Sequence, residues 1–396
     1  MKIKHRLTPL EDIERILEFD FVRATEAAAL NSIDWLGRGQ KELADQAACD
    51  AMRGMFDLVD ICGEVVIGEG IKDNAPGIFK GEHLGRWIPG SPKFDLAIDP
   101  IDGTTNIAKG APNSISCIAA ASPAEGQKTS MQDIPSFYMM KLAYGPKVVA
   151  HMKLRGVNSL SVQNTVEETI IEVAHALHKR VQDVVVVVMD RPRHAKLIEE
   201  VRSVGAALRM IGDGDITAAM APSLPESGID LYLGVGGAPE AVLAAAGIKC
   251  LGGDLQATMW PRDNAERQEL LDAGLTAVDF SRVFFADDLA HGRHIIFCAT
   301  GISDSALLPG VQVRGTTVVT HSVLMRAKSR TVRFIKSHHD LTTKTIRLRS
   351  SGREHGLHPK AEKKLRREEA SEAREKTDSA AQGDRAPDLT IAARAV

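Results

Sequence analysis

The strongest constraint on this chain is an apolar run, Phe94-Asp95-Leu96-Ala97-Ile98, that leads directly into Asp99-Pro100-Ile101-Asp102-Gly103-Thr104-Thr105. Its period-two pattern predicts a strand with Asp95, Ala97 and Asp99 on one face. Asp99 then falls at the strand's end, where Pro100 stops the ladder. Gly103 lets the chain bend so that Asp102 and Thr104 come to the same place. Two carboxylates and a hydroxyl there either form a turn in which each Asp bonds its own backbone, or surround a cation. Hard oxygen donors beside an alcohol suit Mg²⁺ or Mn²⁺, which keep positions open for water and phosphate.

With 396 residues and 44% hydrophobic content, the chain can bury a large core in one big domain or two smaller ones. No apolar run is long enough to cross a bilayer. The basic start, Met1 to Arg6, is not followed by an apolar h-region or cleavage site, so a cytoplasmic protein is expected. Five scattered cysteines without a C-x-x-C fit neither a disulfide framework nor a zinc site. A net charge of −3 and 4% aromatics leave no basic or stacking surface for nucleic acid.

Ile13, Leu17, Phe21, Ala24 and Ala28 recur at three- and four-residue steps, predicting an amphipathic helix from about Leu10 to Leu36, ended by Gly37 and Gly39. A second helical pattern runs through Ala48, Met52 and Met55. Asp45 shares its inward face, where a carboxylate needs a partner unless it merely favours the helix start. Gly63 to Gly70 reads as a buried strand ending in Glu69, whose glycine neighbours admit an ion or phosphate. Ser114 to Ala121 predicts another strand, and Pro135 to Lys141 brings Tyr138.

The second half alternates strand and helix in the manner of a doubly wound α/β layer. A valine-rich strand, Val184 to Met189, turns through Asp190-Arg191-Pro192-Arg193-His194 into a helix over Ala195 to Val204. Guanidinium forks at such a turn suit a phosphate, although surface solvation gives the same pattern. After the strand Ala206 to Ile211 comes Asp213-Gly214-Asp215-Ile216-Thr217, which also matches the nucleophile loop of haloacid-dehalogenase-like phosphatases. Gly212 interrupts the strand before it, and no suitable lysine or acidic-pair loop follows.

Ile229 to Val235 predicts a strand ending in Gly234-Val235-Gly236-Gly237-Ala238-Pro239-Glu240. Pro239 suits the first helical position and Gly247 the stop, which places Glu240 in a helix's first turn. A dinucleotide fold is disfavoured, because Pro239 replaces the third glycine or alanine and no acidic ribose ligand follows. Further strands are predicted over His294 to Thr300, Gly315 to Val319 and Thr331 to Lys336. His291, His294, His338 and His339 lack a ligand cluster and read as solvated or capping. From about Ser351, charged and small residues predict a flexible tail, with at most a solvated helix over Ala361 to Lys376.

The stretch Asp99 to Thr105 resembles the metal-binding signature of the lithium-sensitive, metal-dependent phosphatases. Taken with Gly37-Arg38-Gly39, Lys41 and Asp45, Val66 to Gly70, Pro192-Arg193-His194, Asp213-Gly214-Asp215 and Gly236 to Glu240, the chain resembles class II fructose-1,6-bisphosphatases. The motifs stand in that family's order from about residue 18 to 340, ending with Lys328-Ser329-Arg330-Thr331. Inositol monophosphatases share the central motif but place a Trp-Asp pair where Gly-Gly-Ala-Pro-Glu stands here.

The resemblance implies an α/β fold: a layered α-β-α-β-α sugar-phosphatase sandwich with mixed sheets. The catalytic domain is expected over 1–345, in two α/β subregions of about 1–150 and 151–345, with a charged tail over 346–396. Implied metal ligands, for Mn²⁺ or Mg²⁺, are Asp45, Glu69, Asp99, Asp102 and Glu240. Thr104 is the implied catalytic hydroxyl, with Asp45, Lys41 and Asp73 near the reacting phosphate. Substrate contacts are implied at Asp102, Gly103, Thr104, Tyr138, Arg191, Pro192, Arg193, Asp213, Gly214, Asp215 and Gly237. Among these, Arg191, Arg193 and Tyr138 are assigned to the remote phosphate and Asp213 and Asp215 to sugar hydroxyls.

The implied reaction is hydrolysis of the 1-phosphate of fructose 1,6-bisphosphate, as in gluconeogenesis. The implied form is a homo-oligomer, dimer or tetramer, that binds neither nucleic acid nor membrane. Sedoheptulose-1,7-bisphosphatase or inositol-monophosphatase-like activity is the alternative, and a catalytically silent sugar-phosphate-binding protein a further one. The silent reading is motivated by departures from the family pattern. Gln40 and Glu42 flank Lys41 in place of an acid and an Asn, Ile71 replaces an acid, Asn74 a Glu, and Asp102 the Glu of many relatives.

Overall fold

The structure is a computed structural model that describes residues 14–68, 77–123, 129–156 and 159–383. Leu17, Phe21, Ala24 and Ala28 form the buried stripe of α1 (Glu14–Ser32), and α2 (Lys41–Phe56) follows a short turn. Next come β1 (Cys62–Ile67), β2 (His83–Leu84), β3 (Lys93–Asp102), α3 (Thr104–Lys109) and β4 (Ile115–Ala121). The chain then alternates through β5 (Tyr138–Tyr144), α4 (Pro146–Arg155), α5 (Val166–Leu177), β6 (Val185–Met189), α6 (Ala195–Val204), β7 (Ala207–Ile211) and α7 (Asp215–Met220). It continues with β8 (Leu231–Gly237), α8 (Ala238–Leu251), β9 (Asp254–Trp260), α9 (Asn264–Asp272), α10 (Ala277–Ser281), β10 (Phe284–Phe285) and α11 (Ala286–Leu289). Finally β11 (Ile295–Gly301), β12 (Gln312–Arg314), β13 (Thr317–Arg326) and β14 (Thr331–Asp340) precede a hairpin, β15 (Thr345–Leu348) and β16 (Arg353–Gly356), and α12 (Pro359–Gly383).

Two mixed sheets carry the architecture. One runs β12-β13-β11-β4-β3-β1-β2, with β14 also paired to β13, and the other β10-β9-β5-β8-β6-β7. Their side-chain parity explains the layering. On β4, Ile118 and Ala120 pack with Phe21, Ala48 and Met52 under α1 and α2. The alternate residues Cys117, Ala119 and Ala121 join Met139, Ala143 and Tyr232 of the second sheet, with α7 and α8 between. Leu142, Val186 and Val188 point the other way, against α4, α5 and α6. Two outer cores and a middle one that lies on both sides of α7 and α8 thus join five layers, the expected α-β-α-β-α sandwich.

Four sequence expectations change. Pro100 does not stop β3. The strand continues to Asp102 through an irregularity in which three residues, from Asp99 to Asp102, advance against two on β4, Cys117 to Ile115. Strict alternation would point Asp99 and Asp102 to opposite faces; the extra residue restores them to one. Gly247 does not end α8. It lies mid-helix where an added Cβ would meet Met220 Sδ at 2.6 Å, and the helix stops at Gly252, φ 84°. His339 is not solvated but buried, its Nε2 2.9 Å from Thr320 Oγ1.

The change of composition at Ser351 is likewise not the end of packing. The β15–β16 hairpin docks on α2 with Ile346 buried, so closely that a Cβ on Gly54 would lie 2.1 Å from the Arg347 carbonyl oxygen. Arg349 donates to Asp57 at 2.6 Å and to Glu82 at 3.2 Å. Among the described residues, no helix is long and apolar enough to cross a membrane.

Candidate active site

The bulge in β3 delivers Asp99 and Asp102, both 4% exposed, to a cavity of about 970 Å³. The cavity is bounded on one side by the start of α2 and on the other by the ends of β6 and β8. Gly103 (φ 91°) turns the chain at this point, where a Cβ would strike the Asn113 carbonyl oxygen at 2.4 Å. Thr104, the first residue of α3, faces the cavity beside the two acids. Across from them, α2 brings Asp45 in on its buried face and Lys41 at the exposed rim. From α8 comes Glu240, in the first turn as expected. A Cβ on Gly237 would sit 1.9 Å from its Oε2, so the bare backbone at Gly237 is what lets this carboxylate fold back.

Two of these acids, Asp45 and Glu240, are electrostatically incomplete. Asp45 Oδ1 and Glu240 Oε2 are buried and meet no hydrogen-bond donor among the described residues. Burial pushes the Asp45 carboxyl up to about 6, against smaller opposing effects of the Cys49 thiol and the Arg53 charge. Asp102 is raised well above the carboxylate range, by burial first and then by the charges of Asp215, Asp213 and Glu240. Glu240 is raised by burial, with the Lys141 charge opposing. Orphaned carboxylate oxygens whose protonation is favoured by burial fit a bound divalent ion, and an all-oxygen donor set matches Mg²⁺ or Mn²⁺. Asp102 also accepts the backbone N–H groups of Asp215 (3.1 Å) and Ile216 (3.0 Å), so it ties β3 to the start of α7. Glu69 and Asp73, with Ile71 and Asn74, lie outside the described residues.

The opposite wall is already paired. Arg191 donates to Asp213 Oδ1 at 2.8 Å, and Asp213 Oδ2 accepts the Thr105 N–H at 3.1 Å, joining the β6 turn to α3. Arg193 donates through Nε to the Val235 carbonyl at 2.9 Å and stacks over the Tyr138 ring, 4.7 Å from its centroid. Pro192 starts the turn between them, and Gly214 (φ 93°) makes the bend that separates the two aspartates; neither lines the cavity. Asp215, expected at a sugar hydroxyl, has both oxygens engaged elsewhere. Lys141 Nζ donates to one and the Tyr232 hydroxyl to the other. A Cβ on Gly236 would fall 1.9 Å from that carboxylate, so β8 closes directly over it.

Sequence reasoning assigned no role to three residues of this frame. Lys141 sits fully buried within the apolar strand β5. A lone lysine among apolar neighbours was the available signal, since a buried ammonium needs a carboxylate. Asn106 donates to the Asn113 (3.2 Å) and Asp213 (3.0 Å) carbonyls and holds the Asp213 loop. His194 bridges Met189 O and Val235 N–H, both at 2.7 Å, and so locks the turn that carries Arg193 to β8. His194 stood in the Pro192-Arg193-His194 motif without a role of its own, and nothing in the sequence marked Asn106 within α3.

Comparison with known proteins bears on this geometry. The model of the family described as bacterial fructose-1,6-bisphosphatase, glpX-encoded, matches residues 15–339. The chain belongs to that family. A Haemophilus influenzae protein named fructose-1,6-bisphosphatase class 2 is 38% identical over 339 residues, 83% of this chain and 97% of that protein. The Escherichia coli K12 protein named fructose-1,6-bisphosphatase 1 class 2 is 36% identical over 342 residues, 84% of this chain and 97% of that protein. The family is one of metal-dependent phosphatases, in keeping with the orphaned acids. Its match ends at residue 339, before the β15–β16 hairpin that docks on α2.

Proposed function

We propose that this chain hydrolyses the 1-phosphate of fructose 1,6-bisphosphate, releasing fructose 6-phosphate and inorganic phosphate. The observation that carries the reading is the division of one cavity. Four buried carboxylates, Asp45, Asp99, Asp102 and Glu240, line one wall, with Asp45 Oδ1 and Glu240 Oε2 meeting no donor among the described residues, and guanidinium groups with an aromatic ring line the other. A bisphosphate needs both ends: one to neutralise and polarise the reacting phosphate, the other to hold the remote one.

Asp45, Asp99, Asp102 and Glu240, with Glu69, would hold Mg²⁺ or Mn²⁺, which supplies charge neutralisation and a lowered pKa for bound water. The Thr104 hydroxyl orients the attacking water from the start of α3. Lys41 at the rim screens the incoming phosphate's charge. Arg191, braced by Asp213, and Arg193, braced by Val235 O, present guanidinium groups to the 6-phosphate, while Tyr138 flanks the sugar. The paired state of these groups before substrate arrives lowers the entropy lost on binding. Asp215 serves here as a positioning residue rather than a sugar contact.

Phosphate release from fructose 1,6-bisphosphate, sedoheptulose 1,7-bisphosphate and inositol 1-phosphate, each with Mg²⁺ and with Mn²⁺, tests the proposal. The fructose bisphosphate is expected to give the highest kcat/KM in at least one metal. A preference for inositol monophosphate would overturn the reading, and ligand-induced thermal stabilisation without turnover would favour the silent binding protein.

A further inference from the structure

Away from the cavity, His151 on α4 approaches Glu172 and His175 on α5, and one donor atom from each lies within 4.8 Å of the others. The His151 and His175 rings meet edge to face with centroids 5.1 Å apart. The His151 Nε2 is buried and has no hydrogen-bond partner among the described residues. Glu172 is held in place through one oxygen only. Its Oε1 accepts from Arg155 at 3.0 Å and Ser159 at 2.7 Å, which leaves Oε2 available. His175 is exposed, so the group opens to solvent.

We propose that His151, Glu172 and His175 form a second metal site, for a transition ion of the Zn²⁺ class, separate from the carboxylate centre. The donor set argues for this class. Two imidazoles and one carboxylate match Zn²⁺ with a water in the fourth position, whereas Mg²⁺ and Mn²⁺ prefer the all-oxygen wall of the cavity. Tetrahedral ligation at Zn–N of about 2.0 Å places donors roughly 3.4 Å apart. The donors, within 4.8 Å of one another, stand at most about 1.4 Å wider than that, a difference on the scale of a side-chain torsion. The ion would satisfy the orphaned His151 nitrogen and clamp α4 to α5, the pair that covers the outer core of the second sheet. Because α5 feeds β6, and β6 ends at the Arg191–Arg193 turn, the clamp braces the substrate wall from behind. This inference does not depend on which phosphate ester the cavity cleaves.

The test is calorimetric titration of the full chain with Zn²⁺ in excess Mg²⁺, together with zinc-edge X-ray absorption. One Zn²⁺ is expected to bind with two imidazole ligands, and to raise the thermal midpoint. His175→Ala, at an exposed position, and His151→Ala are each expected to weaken that binding by about 100-fold or more. His175→Ala should leave turnover in Mg²⁺ unchanged, and Asp99→Asn should leave the second-site Zn²⁺ in place. If Zn²⁺ binds both histidine variants as it binds the parent chain, or if the absorption edge shows only oxygen ligands, the site does not exist.

Discussion

Asp45 and Asp215 open onto the same cavity and are almost equally buried, 7% and 5% exposed, yet their charges are met in different ways. Asp215 is fully provided for by the protein, through Lys141 and the Tyr232 hydroxyl. Asp45 is left with a buried oxygen that has no partner among the described residues and a carboxyl raised to about 6. Glu240 behaves like Asp45, with Oε2 orphaned and the group raised by burial. One wall is finished on folding; the other keeps carboxylate oxygens, Asp45 Oδ1 and Glu240 Oε2, without a donor among the described residues, as the proposed cation site requires. The contrast separates stability from chemistry within a single cleft, because a substitution on the finished wall should cost folding and one on the unfinished wall should cost turnover.

The largest effect is expected on the unfinished wall. Glu240→Gln keeps the shape of the side chain but removes an anionic ligand, and should lower turnover on the order of 10³-fold. The unfolding midpoint of the metal-free protein should hold or rise. A variant that lost stability in parallel with activity would show that Glu240 is a structural acid, and the comparison would collapse.

Lys141→Met attacks the finished wall. It leaves Asp215 buried beside a single hydroxyl, and removing one partner of a buried ion pair costs about 3–5 kcal/mol. Denaturant unfolding should show a loss of that size, and the double variant Lys141→Met with Asp215→Leu should recover much of it. Failure of the double variant to recover would mean that Asp215 also does work in the site beyond pairing with Lys141, through its contact with Tyr232.

Asp45→Asn sharpens the same contrast in the opposite direction. An amide at this position does not have to ionise in a buried setting, so the metal-free protein should gain about 1 kcal/mol at neutral pH while losing activity. Calorimetry of the chelated protein measures the gain. Equal stability of variant and parent would indicate that water or Arg53 already compensates the charge.

The finished wall was also the harder one to read from the sequence. The acids of the other wall follow recognisable local signals: a strand that carries Asp99, an inward carboxylate on α2, a first-turn Glu240 behind Gly237. The helices and strands around them followed from apolar periodicity, and the five layers from the resemblance. What the sequence hid depends on contacts between distant segments. Lys141 and Asp215 are 74 residues apart and meet only because β5 and β8 pair while α7 packs beneath them. The bulge that turns Asp99 and Asp102 to one face was invisible because Pro100 signals an interruption without saying that the partner strand continues past it. The docking of residues 345–362 was obscured in the same way. Its apolar contribution is a few side chains, Ile346, Leu348, Leu357 and Ala361, set among charges.

The smallest expected effect tests whether the finished wall is also the one tuned to pH. His194 receives the Val235 N–H on Nε2 and donates from Nδ1 to the Met189 carbonyl, which fixes the neutral tautomer. Burial lowers its pKa below 6.5, and the adjacent Arg193 charge adds to the depression. A folded pKa below the unfolded one means that the ring's contribution is complete above about pH 6.5 and is lost as the pH falls through the folded value. Protonation would place a hydrogen on the nitrogen that accepts from Val235, and Val235 O is also the anchor of Arg193. Between pH 7.5 and 5.5 the parent chain should therefore lose about 1 kcal/mol more stability than His194→Gln. Over the same interval its KM for the bisphosphate should climb further than the variant's, with kcat changing in step in the two proteins. Parallel stability curves would place the pH sensitivity of this wall elsewhere, and a kcat that fell with KM would move His194's influence from the remote phosphate to the reacting one.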